Sequence, residues 1–240
     1  MASIKDDRGY NQGFKPSLAL KIRTERRCEY IISKMNLEKD TRILEIGCGT
    51  GELSYLLAKK TGVYVLGTDL CRPFIKEAKK NYSLSNLNYE VLDFNDEKNV
   101  SRLARGKFDY VVGNGILHHL YFHIDEALKN IRKLLKDNGK IIFLEPNIFN
   151  PYCFLIFNFP VFRKMANLEP EEMAFGRGFI SKRLAEAGYH NMEVEYRDFL
   201  LPSTPSYLIE PSIAIGAVAE KIPVLNRLAQ SVFISATKSK

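Results

Sequence analysis

Gly47, Gly49 and Gly51 recur at every second position of Leu44-Glu45-Ile46-Gly47-Cys48-Gly49-Thr50-Gly51-Glu52, directly between an apolar stretch and a helical one. Such a turn brings bare backbone against a ligand. Gly47 and Gly49 allow angles and an approach that a Cβ would obstruct, and Gly51 opens a helix whose free amides face the same space. A dinucleotide fingerprint needs its third glycine at position 52, which here is Glu52, and the Gly-Lys-Ser/Thr of a phosphate loop is absent. Asp69, in Thr68-Asp69-Leu70, ends the next apolar run, where a carboxylate can accept hydrogen bonds from both hydroxyls of a ribose. Asp93, in Val91-Leu92-Asp93-Phe94, follows the third run, where it can accept from the exocyclic amine of an adenine while an apolar neighbour covers the ring. Three acids, Glu45, Asp69 and Asp93, therefore favour a nucleoside that carries positive charge, such as a sulfonium with a free ammonium group, and penalise a polyphosphate.

At Glu45 to Gly51 the chain resembles the class I S-adenosylmethionine-dependent methyltransferases, whose motif is an acid, one residue, then Gly-x-Gly-x-Gly. The resemblance runs from about Tyr10 to Asn147 and returns in the terminal strands. It implies S-adenosyl-L-methionine as cofactor, with Gly47, Cys48 and Gly49 along its methionine part, Asp69 on the ribose, Leu70 on the adenine face and Asp93 with Phe94 at the adenine edge. It also implies that Glu45 acts near the ammonium group through water. Tyr10 resembles an aromatic residue that N-terminal lids of such enzymes fold over the site.

His118 and His119, in Val112-Gly113-Asn114-Gly115-Ile116-Leu117-His118-His119-Leu120, are the candidates for chemistry on the acceptor. Methyl transfer from a sulfonium is an in-line displacement, so the protein aims a nucleophile and excludes water, and a base helps when the acceptor has a proton to lose. Imidazole titrates near neutrality and can take that proton from a hydroxyl or phenol, but adjacent histidines point apart, so one of them at most is the base. Structural hydrogen bonding is the alternative for both. Asn114 and Gly115 are expected to support the cofactor's methionine end through backbone groups. His119 and His123, with Asp125 or Glu126, lack a third ligand at a metal-site spacing, so no metal is expected.

Elements that would position these groups follow from periodicity. Short apolar runs at Arg42–Ile46, Val63–Thr68, Tyr89–Leu92, Phe108–Gly113 and Lys140–Glu145 read as strands buried on both faces. Between them, Glu52–Lys60, Pro73–Asn81, Asn95–Arg105 and Ile124–Lys136 read as helices, the last stopped by Asn138-Gly139. A helix at Ser181–Ala187, a strand at Met192–Tyr196 and a final strand at Ser231–Thr237 suggest an antiparallel hairpin at one edge. The predicted fold is α/β: a three-layer, doubly wound sheet. Seven strands, mostly parallel with the last one antiparallel, are what the resemblance implies. One domain is expected over 1–240, with an N-terminal lid and helices in 1–40 and a helical cap from insertions at 146–177 and 198–227. Both insertions emerge beyond the carboxyl ends of strands, where ligands of such sheets sit.

Six aromatics fall within Ile148–Phe162, followed by Arg163-Lys164. A segment like this buries itself as a lid, wraps an apolar substrate or dips into a membrane surface with its bases toward headgroups. A second apolar stretch, Ile213 to Leu228, is broken by Pro223 and is too short to cross a bilayer. An apolar or amphipathic small-molecule acceptor is therefore expected, O-methylation being favoured.

Composition bounds the alternatives. With 45% hydrophobic and 26% charged residues the chain can bury a large core. Charges at the amino terminus exclude a secretory signal there, which with the absence of a spanning run predicts a cytoplasmic protein, with peripheral membrane contact left open. Cys28, Cys48, Cys71 and Cys153 lie far apart and read as free thiols. The net charge of +7, with Lys21, Arg23, Arg26 and Arg27 on one predicted helix at Ser17–Met35, motivates an RNA or DNA acceptor as the alternative, although no RNA-binding motif accompanies it. A solvated helix face is the plainer reading of those bases. A non-catalytic S-adenosylmethionine-binding protein and, less well supported, a nicotinamide dehydrogenase are the remaining readings.

Overall fold

The computed structural model describes residues 17–94 and 96–239. In chain order the elements are α1 (Leu18–Ser33), β1 (Arg42–Ile46), α2 (Glu52–Thr61), β2 (Tyr64–Asp69), α3 (Arg72–Asn81), β3 (Leu87–Val91), α4 (Glu97–Ala104), β4 (Phe108–Asn114), α5 (Ile124–Leu134) and β5 (Leu135–Pro146). They continue with α6 (Pro151–Asn158), α7 (Pro160–Met165), α8 (Arg177–Glu186), β6 (Tyr189–Arg197), α9 (Ile209–Ala219) and β7 (Ser231–Lys238). A 3-10 turn, Leu117–His123, joins β4 to α5. Tyr10 lies outside the described residues.

The seven strands form one sheet in the order β3-β2-β1-β4-β5-β7-β6. β7 runs antiparallel to both of its neighbours, and the other pairings are parallel. Alternating strand residues feed two cores. Leu44, Ile46, Val111, Ile141 and Phe143 pack on α4, α5 and α8. Ile43, Val65, Val112, Ile142 and Leu144 pack on α1, α2 and α3. Both faces are thus covered, which is why the central strands carry apolar residues almost without alternation of polarity. The strand order reverses between β1 and β4, so their carboxyl ends open a crevice at that switch.

The Asn138-Gly139 pair does not stop a helix. α5 ends at Leu134 and β5 begins at once. Asn138, at φ 63°, sits where the β4–β5 register shifts between the Phe108–Leu135 and Tyr110–Lys140 pairs. A left-handed residue serves a bulge as well as a helix terminus, so the turn signal itself is ambiguous.

The basic face of α1 also differs from expectation. Lys21 and Arg26 are exposed, but Arg27 is buried and Arg23 nearly so. Arg23 Nε donates to Asp198 Oδ2 at 2.7 Å, and Arg27 reaches the same oxygen through Nε at 3.0 Å and Nη2 at 2.8 Å. Arg27 also donates to the Ser231 hydroxyl and to Asn114 Oδ1. The two central bases thus tie α1 to the ends of β4, β6 and β7.

Each insertion is half buried. In the first, Cys153 and Phe157 pack on Ala174, with Ile148, Ile156 and Met173 around them. In the second, Leu200 and Ile209 pack on Ala19 of α1. The Asn147 side chain donates to the carbonyls of Arg227 and Ala229, and that of Asn150 to Leu228, so the base of α6 is fastened to the end of the second insertion.

Candidate active site

Backbone geometry makes the glycine turn between β1 and α2. Gly47 has φ 71° and Gly51 φ 87°, both in the left-handed region that side chains resist. A Cβ on Gly47 would stand 2.9 Å from the Ile116 side chain, and one on Gly51 2.7 Å from Tyr89. Tyr89 closes this packing by donating its hydroxyl to the Gly51 carbonyl at 2.8 Å. Gly51 then caps α2 without a side chain, leaving first-turn amides for a ligand.

Asp69, at the tip of β2, holds the turn in place. Its Oδ2 accepts from Gly49 N and its Oδ1 from Cys71 N, each at 2.8 Å. A carboxylate has about four acceptor positions, and with the Leu70 amide also bonded to it, about one remains for a ribose hydroxyl. Burial raises the Asp69 pKa, and the amides of Cys71 and Gly49 oppose that shift. Leu70 is partly exposed beside it, as is Asp93 beyond β3, whereas Phe94 is buried. Cys48 is buried, and desolvation raises its thiol well above the ordinary range, so it serves packing rather than nucleophilic chemistry.

Glu45 is turned inward. It is 2% exposed and accepts a hydrogen bond from the Ser54 hydroxyl of α2. Burial pushes its pKa up to about 8, with Ser54 pulling the other way. A group that stays protonated at neutral pH adds no attraction for a cation. Below 4.5 the group is neutral whether the chain is folded or not. As pH rises toward about 8 only the unfolded chain ionises, and stability is lost across that window. Glu45→Gln is neutral throughout, so denaturant melts of the ligand-free protein should show the variant gaining on the wild type between those two pH values.

The 3-10 turn after β4 carries the two histidines, and the structure supplies each with an acid. His118 Nδ1 lies 2.9 Å from Glu145 Oε2 at the end of β5. Glu145, 1% exposed, also accepts the backbone amides of Ile116, Leu117 and His118 at 3.0, 2.9 and 3.2 Å. An acceptor so used fixes the proton on Nδ1 and leaves the lone pair on Nε2. Burial, and then the neighbouring His119, lower the His118 pKa below its ordinary 6.5. His119 Nδ1 lies 3.0 Å from Glu172 Oε1, and Glu172 is 3% exposed.

Among the described residues, His118, His119 and Glu172 bring one ligand atom each within 4.8 Å of one another. Their rings lie 4.1 Å apart with planes at 39°. A zinc ion sits about 2.0–2.1 Å from nitrogen along the lone pair in the ring plane. The rings are tilted against each other, and each already has a nitrogen on a carboxylate. His123 and Asp125 do not join it, and Asp125 pairs with Arg183 at 3.1 Å.

Asn114, closing β4, accepts from Arg27 through its side-chain Oδ1, and the Gly115 amide is taken by the Leu144 carbonyl at 2.8 Å. Glu145, Glu172 and the Arg27–Asp198 contact were absent from the sequence reading. Glu145 carries the signal used for Asp69, an acid at a strand tip. Glu172 has no such signal, and comes to the site because Met173 N bonds to the His118 carbonyl at 3.0 Å. A shallow cavity of about 420 Å³ lined by Tyr64, Lys79, Tyr82 and Leu87 opens at the amino ends of β2 and β3, away from these groups.

Residues 44–141 match a family model described as a methyltransferase domain. The chain is 28% identical over 205 residues to the highly reducing polyketide synthase frbB of Dothideomycetidae sp. (strain 11243), which takes in 79% of this chain and 8% of the synthase. It is 37% identical over 110 residues to the ribosomal protein L11 methyltransferase of Thermosipho africanus (strain TCF52B), 45% of this chain and 39% of that protein. The chain thus spans under a tenth of the synthase and about two fifths of the L11 enzyme. A SAM dependent methyltransferase from Archaeoglobus fulgidus superposes with a TM-score of 0.65 at 20% identity, over 95% of this chain and 98% of that one. The match thus covers residues 44–141, and the sheet around them has the fold of the SAM dependent methyltransferase from Archaeoglobus fulgidus.

Proposed function

We infer that the chain is an S-adenosylmethionine-dependent methyltransferase acting on a small, proton-bearing acceptor of apolar or amphipathic character, with His118 as the base. The observation that carries this reading is the His118–Glu145 pair at the switch-point crevice, on the same edge as the glycine turn. S-adenosylmethionine, when bound, supplies an electrophilic methyl group on a sulfonium. The glycine turn and the α2 amides would receive its methionine part, Asp69 the ribose, and Leu70, Asp93 and Phe94 the adenine. His118, neutral at pH 7 and with Nε2 unprotonated, takes the proton that the acceptor atom loses, and Glu145 stabilises the imidazolium that forms. His119 and Glu172 line the acceptor side beside it.

An oxygen acceptor suits this base. The likeness to a polyketide synthase favours a second reading, a carbon between carbonyl groups, whose proton the same imidazole can remove. A nucleic-acid acceptor loses its main motive, because Arg23 and Arg27 are spent on Asp198 rather than displayed. One domain over 1–240, with 1–40 as lid and the two insertions as cap, is the organisation that serves this reading.

Calorimetry with S-adenosylmethionine and S-adenosylhomocysteine tests it. Both should bind, and Asp69→Ala should weaken them at least about tenfold, since a hydrogen bond to a charged group contributes about 1.5–3 kcal/mol. Failure of the wild type to bind either compound removes the assignment.

A further inference from the structure

We propose that the outer faces of the two insertions form one docking surface for an anionic lipid bilayer. Among the described residues, most of the exposed large apolar side chains lie in these insertions, with Val161 68%, Met165 74%, Tyr207 77% and Val224 76% exposed. Soluble domains seldom display this much apolar surface without a partner. The same helices have an inner side. Phe157 of α6 is buried with its ring centroid 6.0 Å from that of His118, whereas Tyr152, Phe154 and Leu155 of that helix face outward.

Charge identifies the occupant. Residues 148–168 contain no acid, and residues 199–228 contain two: Glu210, which is exposed, and Glu220, which is bound to Arg197 and to the Asp198 amide. Arg163 is turned inward onto the carbonyls of Phe157, Glu169 and Glu172. Lys164, Lys221 and Arg227 are exposed, and no ion pair to them occurs among the described residues. Apolar and aromatic side chains with three exposed bases, Lys164, Lys221 and Arg227, against one exposed acid, Glu210, match the boundary between headgroups and acyl chains of an anionic leaflet. A second copy fits less well, because a two-fold interface sets a patch against itself and would bring these cations together. Among the described residues no helix is long and apolar enough to span, so the contact is with one leaflet. If the acceptor reading holds, a lipophilic substrate in that leaflet is separated from His118 by the thickness of α6.

The test is co-sedimentation of the full chain with vesicles of phosphatidylcholine mixed with phosphatidylglycerol, against vesicles of phosphatidylcholine alone. Binding is expected to the anionic vesicles and to fall with added salt. Each basic residue near an anionic surface contributes about 1 kcal/mol, so Lys164→Glu, Lys221→Glu and Arg227→Glu together should weaken it at least about a hundredfold. Phe162→Asp with Val224→Asp should weaken it at least about tenfold, with S-adenosylmethionine affinity unchanged in both variants. Absence of vesicle binding overturns the proposal. So does binding indifferent to these substitutions, and so does self-association in ultracentrifugation that the same substitutions abolish, which would give the face to a second copy. Readout by sedimentation needs no turnover, so its failure leaves the methyl-transfer reading standing.

Discussion

His118→Gln is expected to lower kcat by about 10²–10⁴-fold, the range a positioned general base contributes, with S-adenosylmethionine affinity unchanged. Glutamine fills similar space and can still bond to Glu145, so a loss of turnover without loss of cofactor binding isolates the basic nitrogen. The pH profile gives a second readout. Because burial and His119 hold the His118 pKa below 6.5, the neutral base is present at and below neutrality. The rate should therefore climb along a limb lying under that value and be level at pH 7. His119→Asn removes the neighbouring charge, and the limb should move up toward 6.5. Glu145→Gln removes the acceptor that fixes the proton on Nδ1, so the amide can donate to that nitrogen and strand the proton on Nε2. Its kcat should fall with His118 still in place. Full activity in His118→Gln would mean that the acceptor loses its proton without help from the chain.

What the sequence made legible was whatever depends on local pattern. The parallel strands appear as short apolar runs because both faces are covered, and acids at their ends stand out against that background. Asp69, Asp93 and the glycine turn were found this way, and the structure places them on one edge. Glu45 shares the pattern but not the exposure, because Ser54, nine residues on, meets it underneath the turn. Glu145 was equally visible, though only the parallel pairing of β4 with β5 shows that it caps the His118 turn. Glu172 is different. Nothing in Leu168-Glu169-Pro170-Glu171-Glu172 separates one acid from another until the loop is hung from the His118 carbonyl. Asn138-Gly139 shows the reverse problem, a clear local signal that two backbone structures share.

The α1 bases show how far a charge count falls short of a structure. Four basic residues on a helix look like a surface, and the partner that decides otherwise, Asp198, is 171 residues from Arg27. Two guanidiniums converge on one carboxylate oxygen there. Burial and the nearby Arg23 lower the Arg27 pKa to about 10, which still leaves it charged at neutral pH, and the two arginines in turn depress Asp198. Removing the shared partner leaves buried like charges without compensation. Asp198→Ala is therefore expected to cost about 3–5 kcal/mol, a large part of the roughly 5–15 kcal/mol that holds a domain together. In a chain of this size that lowers Tm by roughly 6–20 °C. Asp198 also has φ 74°, which asparagine tolerates well, so Asp198→Asn separates charge from backbone. If charge dominates, asparagine should recover only the smaller part of the loss. Acid sensitivity carries the same sign. The depressed Asp198 pKa gives stability that is present above 3.8 and lost as pH falls below it. The wild type should therefore weaken on acidification through that range, and Asp198→Asn should lack this component. Since Arg27 also holds Asn114 at the tip of β4, the asparagine variant should bind S-adenosylmethionine more weakly even where it remains folded, and calorimetry below its melting range would detect it.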